Sequence, residues 1–124
     1  PGRTGGNLLM LLETRLDNVV YRAGYAPTIW AARQLVRHGH IQVNGSRLDL
    51  PSYSVRPDDV VSIGEKMRKN VHMEEWVEQV GAVPSFLELD RNAFSVRLAR
   101  LPEAKEIPVQ VNIQLVVEYY NRLT

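Results

Sequence analysis

Apolar residues recur at helical spacing from the start of the chain: Leu8, Leu9, Leu12, Leu16, Val19, Val20 and Ala23. Asn7 is a suitable N-cap and Gly24 a suitable C-terminal stop, so the spacing predicts a helix over about residues 8–23. Arg15 and Arg22 lie seven apart and are expected on its outer face. Thr28 is placed to cap a second helix that Gly39 ends. On a helical wheel Ile29, Ala31, Ala32, Leu35 and Val36 fill one arc. Trp30, Arg33, Gln34 and Arg37 fill the other, with His38 at its edge. Few residues join the two helices, which predicts a helix-turn-helix-like pair.

The period then shortens. His40-Ile41-Gln42-Val43 and Ser46-Arg47-Leu48-Asp49-Leu50 flank Asn44-Gly45, a strong hairpin signal because a type I′ turn needs positive φ at both central positions. Arg56-Pro57-Asp58-Asp59 reads as a turn, Val60 to Ile63 as a strand, and residues 64–70 as a polar linker. Met73, Trp76, Val77 and Val80 predict a short amphipathic helix with Glu74, Glu75 and Glu78 outside. Strands are expected around Phe86, Leu87 and Leu89, and where Phe94, Val96 and Leu98 alternate with Ser95 and Arg97. Asn112 is placed to cap a final helix over about residues 113–122. The expected fold class is α+β, a helix pair with a small hairpin sheet.

Composition narrows the function classes. The 124 residues are 44% hydrophobic and 23% charged, as in an ordinary globular domain. The longest apolar run, Leu8 to Leu12, is far too short to span a bilayer, so no membrane partner is expected. Without cysteine there can be no disulfide scaffold, zinc ribbon or thiol catalysis. The net charge of +1 conceals an asymmetry. Residues 1–70 hold ten Lys/Arg against six Asp/Glu, and the remainder holds five against eight. Eight of those ten cations are Arg, the side chain suited to bidentate phosphate contact. A basic front and an acidic back fit a polyanion-binding face, and equally a solvated surface with chance asymmetry.

The densest polar cluster runs from Trp30 through Arg33, Gln34, Arg37, His38 and Gly39 to His40. Arg33 and Arg37, at i and i+4, repel one another in an isolated helix, and an anion between them would reverse that cost. Gln34 adds a hydrogen-bonding tip and Trp30 an aromatic plane, which are the parts an RNA-binding surface needs. The alternative is an ordinary wet helix face with Trp30 packed on a neighbour. His38 and His40 lack a third ligand at suitable spacing, so no metal or other cofactor is expected. Asn44 and Arg47 in the hairpin are further polar candidates, and Arg3 stands in a Gly-rich lead-in before a helix N-terminus, which favours an anion. No Ser-His-Asp constellation, Walker loop or dinucleotide fingerprint is present, and an enzyme is not expected.

Several segments together resemble a known family. They are Arg15-Leu16-Asp17-Asn18-Val19-Val20-Tyr21-Arg22, Ala31-Ala32-Arg33-Gln34-Leu35-Val36-Arg37-His38-Gly39-His40, Val43-Asn44-Gly45 and Leu50-Pro51-Ser52-Tyr53. In order and spacing they are similar to the fourth protein of the small ribosomal subunit, in its bacterial or organellar form. Leu115-Val116-Val117-Glu118-Tyr119-Tyr120 is similar to that family's C-terminal helix, with a cyanobacterial or plastid flavour.

The resemblance implies a structural constituent of the small subunit and a primary rRNA-binding protein, located in the ribosome of a bacterial cytoplasm or of a plastid or mitochondrion. It implies binding at a multi-helix junction of the rRNA 5′ domain, nucleation of assembly, and contact with the fifth small-subunit protein that influences decoding accuracy. A place near where mRNA enters, and repression of its own mRNA, are further family properties. The implied layout is an RNA-binding domain over residues 15–63 inserted in a second, mainly helical domain. Residues 1–14 would be a helical lead-in packing with the C-terminal helix at 112–124, and residues 64–111 a linker, short helix and strands. The implied RNA contacts are Arg3, Arg15, Arg22, Trp30, Arg33, Gln34, Arg37, His38, Gly39, His40, Asn44 and Arg47. Three departures stand out. The family's long basic N-terminal region has no counterpart before Pro1, Ser46 replaces a frequent basic residue, and Asp58 stands where Gly is usual.

Overall fold

In the computed structural model of the protein, residues 11–69, 73, 75 and 83–102 are described. Helices α1 (Leu16–Arg22) and α2 (Ile29–Arg37) precede strands β1 (Ile41–Val43), β2 (Ser46–Arg47) and β3 (Val60–Ile63). A one-turn helix α3 (Glu65–Arg68) follows, then β4 (Leu87–Asp90) and β5 (Ser95–Leu98). The mixed helical and antiparallel architecture is the expected α+β class.

The strands form one antiparallel sheet in the order β2-β1-β3-β5-β4. Asn44 at φ 52° and Gly45 at φ 85° make the tight turn between β1 and β2. Ile41 pairs with Ile63, and Val61 pairs with Val96, so β3 joins the hairpin to the last two strands. Buried positions alternate along β1, β3 and β5, as one packed sheet face requires. That face shares one core with both helices: Leu16, Val19 and Val20 of α1, Ala32, Leu35 and Val36 of α2, and Ile41, Val61, Ile63, Val96 and Leu98 of the sheet. The expected boundary after residue 63 therefore falls within a continuous sheet and core.

The helix expected over residues 8–23 is interrupted. Residues 11–13 are helical, Thr14 turns, and Arg15 is extended at φ −59°, ψ 144°. The cause is tertiary. The segment after Pro51 lies against this point, where the Leu16 N–H donates to the Tyr53 carbonyl (2.8 Å) and the Val55 N–H donates to the Thr14 carbonyl (2.8 Å). These inter-segment bonds outweigh the local helical preference. The linker expected at 64–70 holds α3, and the strand expected over 46–50 is limited to β2. Met73 and Glu75 are helical, but the rest of the helix expected there, Asn7, and the final helix lie outside the described residues.

Candidate nucleic-acid interface

The Thr28 side chain accepts a hydrogen bond from the Ala31 N–H (3.0 Å) and fixes the start of α2. At its other end Gly39 adopts φ +80°, and a Cβ there would meet Arg47 Cδ at 3.1 Å. Glycine thus lets the stem of Arg47 cross the C-terminal end of α2. The Gly64 N–H donates to the His40 carbonyl (2.7 Å), which ties α3 to the same end.

The expected face of paired arginines is not formed. Arg33 is only 7% exposed, and its Nε donates to Asp17 Oδ2 at 3.2 Å. Arg15, at 4% exposure, grips the same carboxylate through Nε (3.2 Å) and Nη2 (3.1 Å). Asp17 is fully buried in the first turn of α1 and so holds two guanidinium groups. Arg22 Nε donates to the buried Glu13 carboxylate at 2.7 Å. Arg33 was expected beside Arg37, and Arg15 and Arg22 on an outer face. All three instead turn toward buried carboxylates, because ion pairing offsets desolvation of the charge.

The exposed set lies at the C-terminal end of α2 and on the hairpin: Gln34, Arg37, His38 and Arg47. Trp30 is 50% exposed, and the Arg33 guanidinium stacks on its ring at 4.6 Å from the centroid. One cation thus joins the buried network to an exposed aromatic plane. Asn44 is committed within the fold: its amide donates to Asp59 Oδ1 (2.9 Å) and accepts from the Val60 N–H (2.9 Å). The His38 and His40 rings lie edge to face, 6.4 Å apart. Burial, then His38 and Lys66, hold the His40 imidazole below its ordinary pKa. No metal-ligating group of three or more exists among the described residues. Arg3 lies outside them.

Two parts escaped the sequence reading. Asp17 has no local signal as a hub, since Arg33 is sixteen residues away. Lys66 and Met67 read as linker, and the β1–β3 pairing together with the Gly64–His40 bond brings them beside His40. Tyr53 and Asp59 form another small hub, with the Tyr53 hydroxyl donating to Asp59 Oδ2 at 2.9 Å. Asp58 at φ 73° adopts the left-handed conformation that Gly would take freely.

Residues 14–61 match the S4 domain family. The small ribosomal subunit protein uS4 of Mesoplasma florum is 47% identical over 98% of this chain and 59% of its own length. Those of Leuconostoc citreum and Xanthobacter autotrophicus are 49% and 50% identical, each over 98% of this chain and 60% of their own. The chain thus spans about three fifths of the length of these curated relatives. Over the stretch it shares with them, the chain belongs to the uS4 family and carries its S4 domain.

Proposed function

We propose that the protein is a structural, non-enzymatic constituent of the small ribosomal subunit that binds rRNA through the end of the molecule where α2, the hairpin and α3 meet. The observation that carries this reading is the division of its cations. Arg15, Arg22 and Arg33 hold the scaffold, while Arg37 and Arg47 are exposed on rigid elements, with Gln34 and His38 exposed at the same end of α2 and the Trp30 plane exposed in its first turn. Exposed cations supply phosphate contacts, and the neighbouring aromatic and amide groups supply fit. Gly39, His40 and Asn44 shape this surface, and Arg3 adds a phosphate contact. The role needs no cofactor.

Family membership supports the finer assignments: a site at a junction in the rRNA 5′ domain, nucleation of assembly, and contact with the fifth small-subunit protein that influences decoding. It also supports a place near incoming mRNA and repression of its own message. Bacterial cytoplasm and organelle are both compatible settings. In this reading the unit over residues 15–63, with α3 beside it, faces RNA. Sedimentation through a sucrose gradient tests the role: the protein should travel with small subunits, and migration with large subunits or as free protein opposes it. Filter binding to small-subunit rRNA at several salt concentrations tests the contact, since phosphate binding weakens steeply as salt rises.

A further inference from the structure

A cavity of about 210 Å³ opens between α2 and α3. Ala31, Leu35 and Met67 give it apolar walls, and Gln34, His38 and His40 give it polar groups. No Lys, Arg, Asp or Glu is among its described lining residues. A phosphate would find no countercharge there. A flat, uncharged ring with a polar edge would find both of the surfaces it needs.

The size fits. A cavity of roughly 150 Å³ accepts benzene, so this one has room for a one- or two-ring base. Met67 offers a polarisable thioether that favours aromatic contact. The Gln34 amide both donates and accepts, and so does a neutral imidazole. His40, held below the ordinary imidazole value, stays neutral at physiological pH. The Gly64–His40 bond fixes α3 against β1, so the cavity exists before any ligand arrives. Arg37 and Lys66 are exposed and adjoin the lining residues His38 and Met67 in sequence, so each flexible cation is within a residue of the cavity.

We propose that this cavity receives one unstacked base of the bound RNA. The base lies with its face on Ala31, Leu35 and Met67 and its edge toward Gln34, His38 and His40, while Arg37 and Lys66 take the flanking phosphates. The proposal rests on the RNA-binding reading above and adds to it a base contact with its own site. Sequence-specific RNA recognition commonly uses unstacked bases in this way.

Two variants test it. Ala31→Leu fills the cavity from a half-buried position with a good helix former. Gln34→Ala removes an exposed amide and leaves the core untouched, so it decides the matter if the first variant melts early. Each variant should bind small-subunit rRNA about tenfold more weakly, the scale of one lost base stack, with its salt slope unchanged. Chemical probing of the complex should show one unpaired base shielded by the wild-type protein and exposed again with the variants, while backbone protections persist. Folded variants that keep wild-type affinity and the same base protections would overturn the cavity proposal alone, as would a loss of affinity accompanied by a flatter salt slope. Wild-type protein that fails to bind rRNA would overturn the RNA-binding reading and the cavity proposal with it.

Discussion

The arginines of the two helices and those of the α2 terminus and hairpin are the same side chain put to opposite uses. Arg15, Arg22 and Arg33 lie against the buried carboxylates of Asp17 and Glu13. Arg37 and Arg47 stand in solvent. The difference comes from the partner each can reach. Arg33 and Arg37 sit one turn apart on α2, yet only Arg33 meets the first turn of α1, where Asp17 waits. A count of basic residues therefore overstates the charge available to a polyanion. What binds RNA in the proposed role is the smaller, exposed set, carried on a frame that the buried set holds rigid.

The sharpest way to break that division is to remove the shared carboxylate. Asp17→Asn removes the buried carboxylate that the Arg15 and Arg33 guanidinium groups share, and should cost about 3–5 kcal/mol in urea unfolding. An unchanged denaturation midpoint would show that the pairs do not persist in solution. Arg33→Gln is milder, because Asp17 keeps Arg15. It should cost about 1–3 kcal/mol and should also free the Trp30 ring, visible as a change in tryptophan fluorescence. Arg37→Gln, one turn away, should leave stability within about 0.5 kcal/mol. It should instead weaken rRNA binding across sequences and reduce the salt slope by about one. If Arg33→Gln and Arg37→Gln gave matching effects on stability and on salt slope, the contrast between buried and exposed arginines would collapse.

Much of the frame was legible in the sequence because it depends on local signals. The Thr28 cap, the Gly39 stop, the Asn44-Gly45 turn and the apolar alternation of β1, β3 and β5 are all visible within a few residues. The break at Thr14–Arg15 was not legible, because it follows from bonds to Tyr53 and Val55, some forty residues on. The orientation of Arg33 was hidden for the same reason. On a helical wheel it shares an arc with Gln34 and Arg37, and only the packing of α1 decides that a charged residue on that arc turns inward. Lys66 and Met67 likewise gain meaning only when α3 docks on His40. Local chemistry writes the elements, and long-range contacts decide which charges remain available.

Asp59 extends the comparison to carboxylates and carries the smallest effect. Asp17 is held by guanidinium groups in the interior, whereas Asp59 is partly exposed and held by neutral donors. It accepts from the Asn44 amide, the Tyr53 hydroxyl and the Arg56 N–H, each at 2.9 Å. Partial burial pushes its pKa up, but the hydrogen bonds from Arg56, Asn44 and Tyr53 outweigh that and hold the carboxyl below its ordinary value. The sign of the pH dependence follows. Below the ordinary carboxylate range the unfolded chain binds the proton first, so the hub's contribution is complete above about pH 4 and is lost as pH falls through the folded value. Solvent screening keeps this contribution small. Asp59→Asn should therefore flatten stability against pH in the acid range while leaving the neutral-pH salt slope of rRNA binding unchanged. Tyr53→Phe removes one donor of the three and should move the Asp59 carboxyl part of the way back toward its ordinary value, read directly from its carbon chemical shift during titration. A carboxyl that titrates at the ordinary value in the wild-type protein would mean that Asp59 does not gather the hairpin turn and the loop before β3 in solution. The exposed half of the molecule would then be looser than the buried half by more than its ion pairs explain.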